Sequence, residues 1–102
     1  MIEGFAEGSL VILNLVNPKE KFFGLLMSLS AAGVTMRGVN LDSFEDWARQ
    51  LAHEDEPGIS PVTMFIPLFR VERIFLDEPE GTIQSYAERF QSVVGRPVRE
   101  YV

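Results

Sequence analysis

Three runs of β-forming residues follow one another in the first part of the chain, and a short turn signal separates each run from the next. The runs cover residues 9–16, 21–30 and 34–41. Side chains alternate between two faces along a strand, and turns as short as residues 17–20 and 31–33 join antiparallel neighbours. The pattern therefore predicts an antiparallel meander of three strands.

A glycine interrupts the second of these runs. Gly24 stands between Phe23 and Leu25, among residues that favour strands. A glycine inside a strand marks a sharp bend, a bulge or a close approach of two backbones. We therefore expect the second strand to bend at this position.

A helix is predicted between the third and fourth strands. Asp42 or Ser43 can cap a helix over residues 43–53, and its apolar stripe has helical spacing. The stripe consists of Phe44, Trp47, Ala48 and Leu51.

Two more strands and a second helix are predicted after it. The strands cover residues 62–66 and 70–76, with Pro67 interrupting the pairing between them because proline cannot donate to a ladder. Thr82 or Ser85 caps a C-terminal helix at about 82–94, and Ser85 with Glu88 has the spacing of a capping box. Residues 98–102 are expected to be frayed.

The composition fits one ordinary soluble domain over residues 1–102, in which the predicted strands occupy about 9–76. Hydrophobic residues make up 46% of the chain and charged residues 24%, and there is no cysteine. The lack of cysteine removes disulfides, thiol catalysis and cysteine-based zinc sites. We find neither a membrane-length apolar stretch nor a basic leader, so the expected location is cytoplasmic.

Two segments resemble motifs of the Sm-like family, whose fold is a small SH3-like barrel. The first is the apolar run 11–16, followed after a turn by Phe23-Gly24-Leu25-Leu26. The second is the stretch 65–74, in which one strand ends, a tight turn follows and the next strand brings hydrophobes three residues apart. The resemblance implies a mainly β (α+β), five-stranded antiparallel SH3-like or Sm-like barrel, here with a helix inserted between strands three and four and a C-terminal helix.

The chain departs from the family where that family binds nucleobases. The family's Asp and Asn would fall near Ser30 and Gly33-Val34, and neither residue type is there. Its bacterial RNA chaperone carries a Lys-His pair where this chain has Leu68-Phe69. The resemblance therefore implies a barrel whose uridine pocket is missing or rebuilt.

Net charge also argues against nucleic acid as the main partner. The formal charge is -6 at pH 7, which repels phosphate backbones at long range. We expect no DNA partner. RNA remains the runner-up, through a rearranged site with Arg37, Arg70 and Arg73.

The sequence offers no catalytic or metal motif. Serines are present, but no nucleophile elbow, zinc-binding helix or phosphate loop accompanies them. His53 precedes Glu54, Asp55 and Glu56, which is more typical of a solvated helix end than of a metal site. We therefore predict a non-enzymatic protein without cofactor, metal ion or catalytic residues.

Large apolar residues around the turn after Pro67 point to an interface. Leu68 and Phe69 occupy a position that is normally exposed. Either one helix covers them, or they turn outward and form an apolar patch, which usually marks a contact with another protein. In Sm-like proteins the fourth strand of one subunit pairs with the fifth of the next. We therefore predict a homo-oligomer, ring-shaped if it follows the family, that serves as an assembly or protein-interaction module through Phe65, Ile66, Leu68, Phe69 and Val71.

Overall fold

The computed structural model describes residues 5–53 and 58–102, in which five antiparallel strands form one sheet. The strands are β1 (Leu10–Leu15), β2 (Glu20–Leu29), β3 (Gly33–Asn40), β4 (Val62–Pro67) and β5 (Val71–Leu76). Their order across the sheet is β4-β3-β2-β1-β5, so β4 and β5 are the two edges of an open sheet. The predicted class, mainly β with two helices and five antiparallel strands, is confirmed.

Both predicted helices are present. Helix α1 (Phe44–Ala52) lies between β3 and β4, and helix α2 (Tyr86–Val94) follows β5. Short 3-10 helices occur at Leu41–Ser43, Leu68–Arg70 and Val98–Glu100. Within the described ranges, neither α-helix has the length and apolar character needed to cross a membrane.

One face of the sheet buries a core made by the strands themselves. We call it the strand core, and its fully buried members are Val11, Leu13, Leu15, Leu26, Val34, Met36 and Ile66. Val71 and Ile74 of β5 pack against it, so all five strands contribute. Alternation explains the selection, because every second residue of β1 points into this core.

The other face of the sheet is covered by the two helices. This helix core is rich in aromatic rings, and its buried members are Phe23, Val39, Phe44, Trp47, Ala48, Phe90 and Val98. Trp47 of α1 and Phe90 of α2 have ring centroids 4.9 Å apart. A bidentate ion pair between Glu45 and Arg89 also joins the helices, with both N–O distances 3.1 Å. The hydrogen bond from Arg89 lowers the pKa of the Glu45 carboxyl.

The β2–β3 pair contains an unusually close approach of two backbones. Gly24 and Gly38 lie directly opposite each other. A Cβ on Gly24 would lie 2.6 Å from the Cα of Gly38, and a Cβ on Gly38 would lie 2.7 Å from the Cα of Gly24. Of the three features that a glycine inside a strand can mark, Gly24 shows the close backbone approach, and its partner is a second glycine that allows the same approach. The irregularity of β2 lies further along, between Leu26 and Ser28.

Helix α2 begins with two independent caps. Ser85 accepts from the Glu88 N–H, and the Glu88 carboxylate accepts from the Ser85 N–H, which confirms the capping box. Asp77, at the end of β5, accepts from the N–H groups of Tyr86 at 2.8 Å and Ala87 at 2.9 Å. Burial raises the pKa of the Asp77 carboxyl, against these two hydrogen bonds, which lower it.

Replacing Asp77 with alanine should destabilise the docking of α2. The substitution leaves the Tyr86 and Ala87 N–H groups without their carboxylate acceptor, which costs about 1–2 kcal/mol for a helix cap. Urea denaturation followed by Trp47 fluorescence measures the loss in the free energy of unfolding. Glu78→Ala, one residue further along, is the control and should change it by less than about 0.5 kcal/mol. Equal effects of the two variants would contradict the capping role.

Three details of the sequence prediction need correction. Pro67 ends β4 rather than lying outside it, because it still aligns with Gly33 of β3. Arg70 belongs to the 3-10 helix, and β5 begins at Val71. The C-terminal tail is not frayed: Val98 is buried in the helix core, and residues 98–100 form a 3-10 helix.

Candidate assembly surface

An exposed apolar surface follows one edge of the sheet and the turn after it. Phe69 has 84% of its surface exposed, Val62 and Phe65 have 55% each, and Leu68 has 44%. We call these four residues the apolar edge. Val62 and Phe65 belong to β4, while Leu68 and Phe69 lie in the 3-10 helix that joins β4 to β5. The apolar edge therefore coincides with a strand beside whose outer backbone groups the described part of the chain places no further strand.

The chain segments that form the apolar edge and the adjoining turn carry no charged residue, and the nearest charge on β3 is Arg37, opposite Thr63. The Leu68 N–H donates to the Ala32 carbonyl at 3.0 Å, so the turn after β4 lies against the β2–β3 turn. Residues 22–36 and 58–69 contain no Asp, Glu, Lys or Arg. In a chain with a net charge of -6, this end of the sheet is a local neutral region.

The structure divides the five predicted interface residues into two groups. Phe65, Leu68 and Phe69 are exposed. Ile66 is 95% buried, because it lies opposite Val34 and both point into the strand core. Val71 is half-buried against the same core. The side chains of Ile66 and Val71 therefore face the strand core, while their backbones lie along the two edges.

The opposite edge of the sheet has a different character. Glu72 and Arg73 of β5 are exposed, and their side chains form an ion pair at 3.4 Å. The Arg73 guanidinium also lies over the ring of Phe75, 5.8 Å from its centroid. Charged side chains on an edge strand discourage pairing with another chain. Edge β5 therefore carries charged side chains, whereas none of the residues of β4 is charged.

The guanidinium of Arg70 is committed to internal contacts. Its Nε donates to the Val16 carbonyl at 3.0 Å, and one terminal nitrogen donates to the Pro18 carbonyl at 2.8 Å. The same nitrogen pairs with Glu20 at 2.9 Å. These contacts hold the β1–β2 turn against the 3-10 helix that joins β4 to β5, so Arg70 has a structural role.

Arg37 and Arg73 do not come together either. Arg37 shares a cross-strand row with Leu25 and Leu10, whereas Arg73 shares one with Asn14 and Lys21. Leu10 and Asn14 lie four positions apart in β1, which is about 13 Å along a strand. The three arginines predicted as RNA contacts therefore form no common site.

A shallow cleft of about 420 Å³ lies between α2 and the C-terminal 3-10 helix. Gln91 and Val98 line it, together with Arg99, whose guanidinium donates to the Gly8 carbonyl at 2.7 Å. That contact ties the C-terminal tail to the segment before β1. Glu88, the other charged residue of the lining, accepts from the Ser85 N–H, so both charged side chains of the cleft are engaged with backbone groups.

No grouping of three or more His, Asp or Glu side chains suited to a metal ion occurs within residues 5–53 and 58–102. His53 is exposed just after α1. The acidic residues considered with it, Glu54, Asp55 and Glu56, lie outside the described residues.

Sequence reasoning missed part of the exposed surface. Val62 was expected only as a strand residue, and Met27, which is 42% exposed, only as part of the second strand. The missing signal was a bulge: the β2–β3 register shifts between Leu26 and Ser28, which turns Met27 outward. Such a shift depends on how two strands pair, so the sequence of neither strand alone predicts it.

Comparison with known proteins finds no matching family model, no matching curated protein and no matching solved structure. A function can therefore be inferred only from the sequence and geometry of this chain.

Proposed function

We propose that the protein is a non-enzymatic small β-barrel of the SH3-like or Sm-like kind that binds copies of itself and serves as an assembly or protein-interaction module. The strand core supports the barrel. Its residues come from all five strands, and a single flat sheet could not shield them from water on that face. The edges β4 and β5 are joined by a 3-10 helix of only three residues, so the end of β4 and the start of β5 lie close together.

The observation that carries the proposal is the apolar edge. An unpaired strand with exposed Val62 and Phe65 is a template for pairing with another chain, and natural proteins normally protect such edges with charge. Here the protection is present on β5 and lacking on β4. A contact with a second protein surface would cover the exposed rings and satisfy the outer backbone groups of β4 together.

Engagement of the polar side chains agrees with a role other than catalysis. Asp77 and Ser85 cap α2, and Arg70 holds the β1–β2 turn. These groups have structural partners. An RNA-binding role through Arg37, Arg70 and Arg73 remains the alternative, but it would require Arg70 to give up its contacts with Val16 and Glu20.

The proposal predicts a concentration-dependent native mass above that of one chain, measured by light scattering or native mass spectrometry. The double substitution Leu68→Ser and Phe69→Ser should weaken self-association by at least about tenfold, because it removes two large exposed apolar groups from the contact. Ile83→Ser is the matched control. Ile83 is 68% exposed but lies between β5 and α2, away from the apolar edge, and its loss should leave the mass unchanged.

A strict monomer at all concentrations would remove the self-assembly proposal. Fluorescence titration with short single-stranded RNA then tests the alternative. Salt-sensitive micromolar binding that is lost on combining Arg70→Ala with Arg73→Ala would favour RNA.

A further inference from the structure

Strand β4 has the features needed to pair with a second copy of itself. It is bonded to β3 on one side only, and its other side is the edge of the sheet. All six residues from Val62 to Pro67 are uncharged. Two copies of a chain with net charge -6 repel each other over most of their surfaces, so a neutral edge is where they can approach closely.

Two prolines set the register that such a pairing would adopt. Pro61 and Pro67 lie three residues before and three residues after Met64. If two β4 strands run antiparallel about Met64, each Pro61 lies opposite Pro67 of the second copy, at the ends of the ladder. Proline has no N–H to donate, so its best place in a ladder is an end. Residues 62–66 between the prolines keep all their donors.

This register also matches the side chains. Thr63 of one copy lies opposite Phe65 of the other on the helix side of the sheet. Val62 lies opposite Ile66 on the strand-core side. The exposed surfaces of Val62 and Phe65 would thus be covered without bringing any charged groups face to face. The prolines at both ends limit the contact to one short ladder, which favours a closed pair over an open-ended stack.

We propose that two copies associate through antiparallel pairing of their β4 strands about a two-fold axis at Met64, which joins two five-stranded sheets into one continuous sheet. This inference rests on the proposed function, since it names the contact by which the chain binds itself. It differs from pairing of β4 with β5 of a neighbour, the arrangement that generates rings. The exposed Glu72 and Arg73 on β5 argue against that arrangement.

A pair of matched substitutions separates the two edges. Phe65 and Phe75 are exposed to similar extents, 55% and 45%, on β4 and β5 respectively. Sedimentation velocity should show that Phe65→Asp weakens dimerisation by at least about 100-fold, because each dimer would bury two unpaired carboxylates. Phe75→Asp should leave the dimer unchanged. A dimer that survives Phe65→Asp, or that is lost equally in both variants, would overturn the β4–β4 contact.

Cross-linking provides a second readout that does not depend on breaking the interface. The chain has no cysteine, so Thr63→Cys and Glu72→Cys each introduce one thiol at an exposed position. In the proposed register the two Thr63 positions are diagonal neighbours about 7–8 Å apart. A short bis-thiol reagent should therefore link Thr63→Cys chains to one another and should give no mixed link to Glu72→Cys chains.

The outcomes distinguish this inference from the proposed function on which it rests. Mixed links between positions 63 and 72, with a mass above that of two chains, would overturn the two-fold contact but retain self-assembly. A monomeric mass with no links would overturn both. A mass of two chains with links only between Thr63→Cys chains supports both.

Discussion

Replacing Gly38 with alanine is expected to lower the free energy of unfolding by about 3 kcal/mol, a large part of the total stability of a domain of this size. The added Cβ would lie 2.7 Å from the Cα of Gly24 and closer still to the carbonyl oxygen of Phe23. These neighbours are backbone atoms, so they can give way only if β2 and β3 separate. That pair lies at the centre of the sheet, between the strand core and the helix core, and its separation would disturb both. The shift of the urea midpoint measures the effect.

Gly58→Ala is the control for this substitution. Among residues 5–53 and 58–102, no atom lies within 4 Å of a Cβ added at Gly58, so the same chemical change should alter the free energy of unfolding by less than about 0.5 kcal/mol. Gly24→Ala, which meets the same obstacle from the opposite strand, should resemble Gly38→Ala. If Gly38→Ala unfolds at the urea concentration of the unmodified protein, β2 and β3 are not as close as described.

The two glycines show which part of the fold the sequence could predict. Gly24 stands out in a run of large apolar residues, and this contrast alone predicts a special backbone position. Gly38 lies in an alternating run that reads as an ordinary strand. Gly38 matters because it faces Gly24. Which residues face each other depends on the register of β2 against β3, and the sequence of β3 alone does not give that register.

The helices show a similar division between local and long-range signals. The capping box of Ser85 and Glu88 spans three residues and was predicted from spacing. Asp77 caps the same helix from nine residues upstream, across a loop, and no spacing rule indicates it. Residues 98–102 were expected to fray because they are short and follow Gly95 and Pro97. Val98 is instead held by burial among aromatic rings from distant segments.

The candidate surface is predicted only in part, because local signals indicate some of its residues and long-range contacts decide the others. Turn chemistry after Pro67 is a local signal that places Leu68 and Phe69 at the surface, but it leaves open whether a helix covers them, and the structure shows them exposed. Ile66 was assigned to the interface by its hydrophobicity, although alternation places it on the opposite face from Phe65. The sequence also suggests Arg70 as a ligand contact, because nothing near it in the chain shows that it is engaged. Its acceptors, Val16, Pro18 and Glu20, lie about 50 residues away in the sequence.

Replacing Phe90 with alanine is expected to cost about 3–5 kcal/mol, the usual range for removing a buried phenylalanine. Phe90 is completely buried and is the residue by which α2 reaches the centre of the helix core. Its ring lies 4.9 Å from that of Trp47 and 5.5 Å from that of Tyr101, measured between centroids. The substitution would leave a cavity among these rings, and α2 would keep its polar contacts with α1 and β5 and the weaker packing of its partly buried residues, such as Ala87 and Val93.

Trp47 gives this prediction a direct spectroscopic readout. Loss of the neighbouring ring should shift the tryptophan emission to longer wavelength before global unfolding, because water gains access to the indole as α2 loosens.

Phe69→Ala is the matched control, measured at a concentration where the protein is monomeric. The same atoms are removed from a side chain that is 84% exposed, so the free energy of unfolding should change by less than about 0.5 kcal/mol. Similar losses in the two variants would mean that α2 is not held by the helix core. A large loss in Phe90→Ala alone would show that the helices stabilise the sheet from the face opposite the strand core, so that both edges stay available for binding.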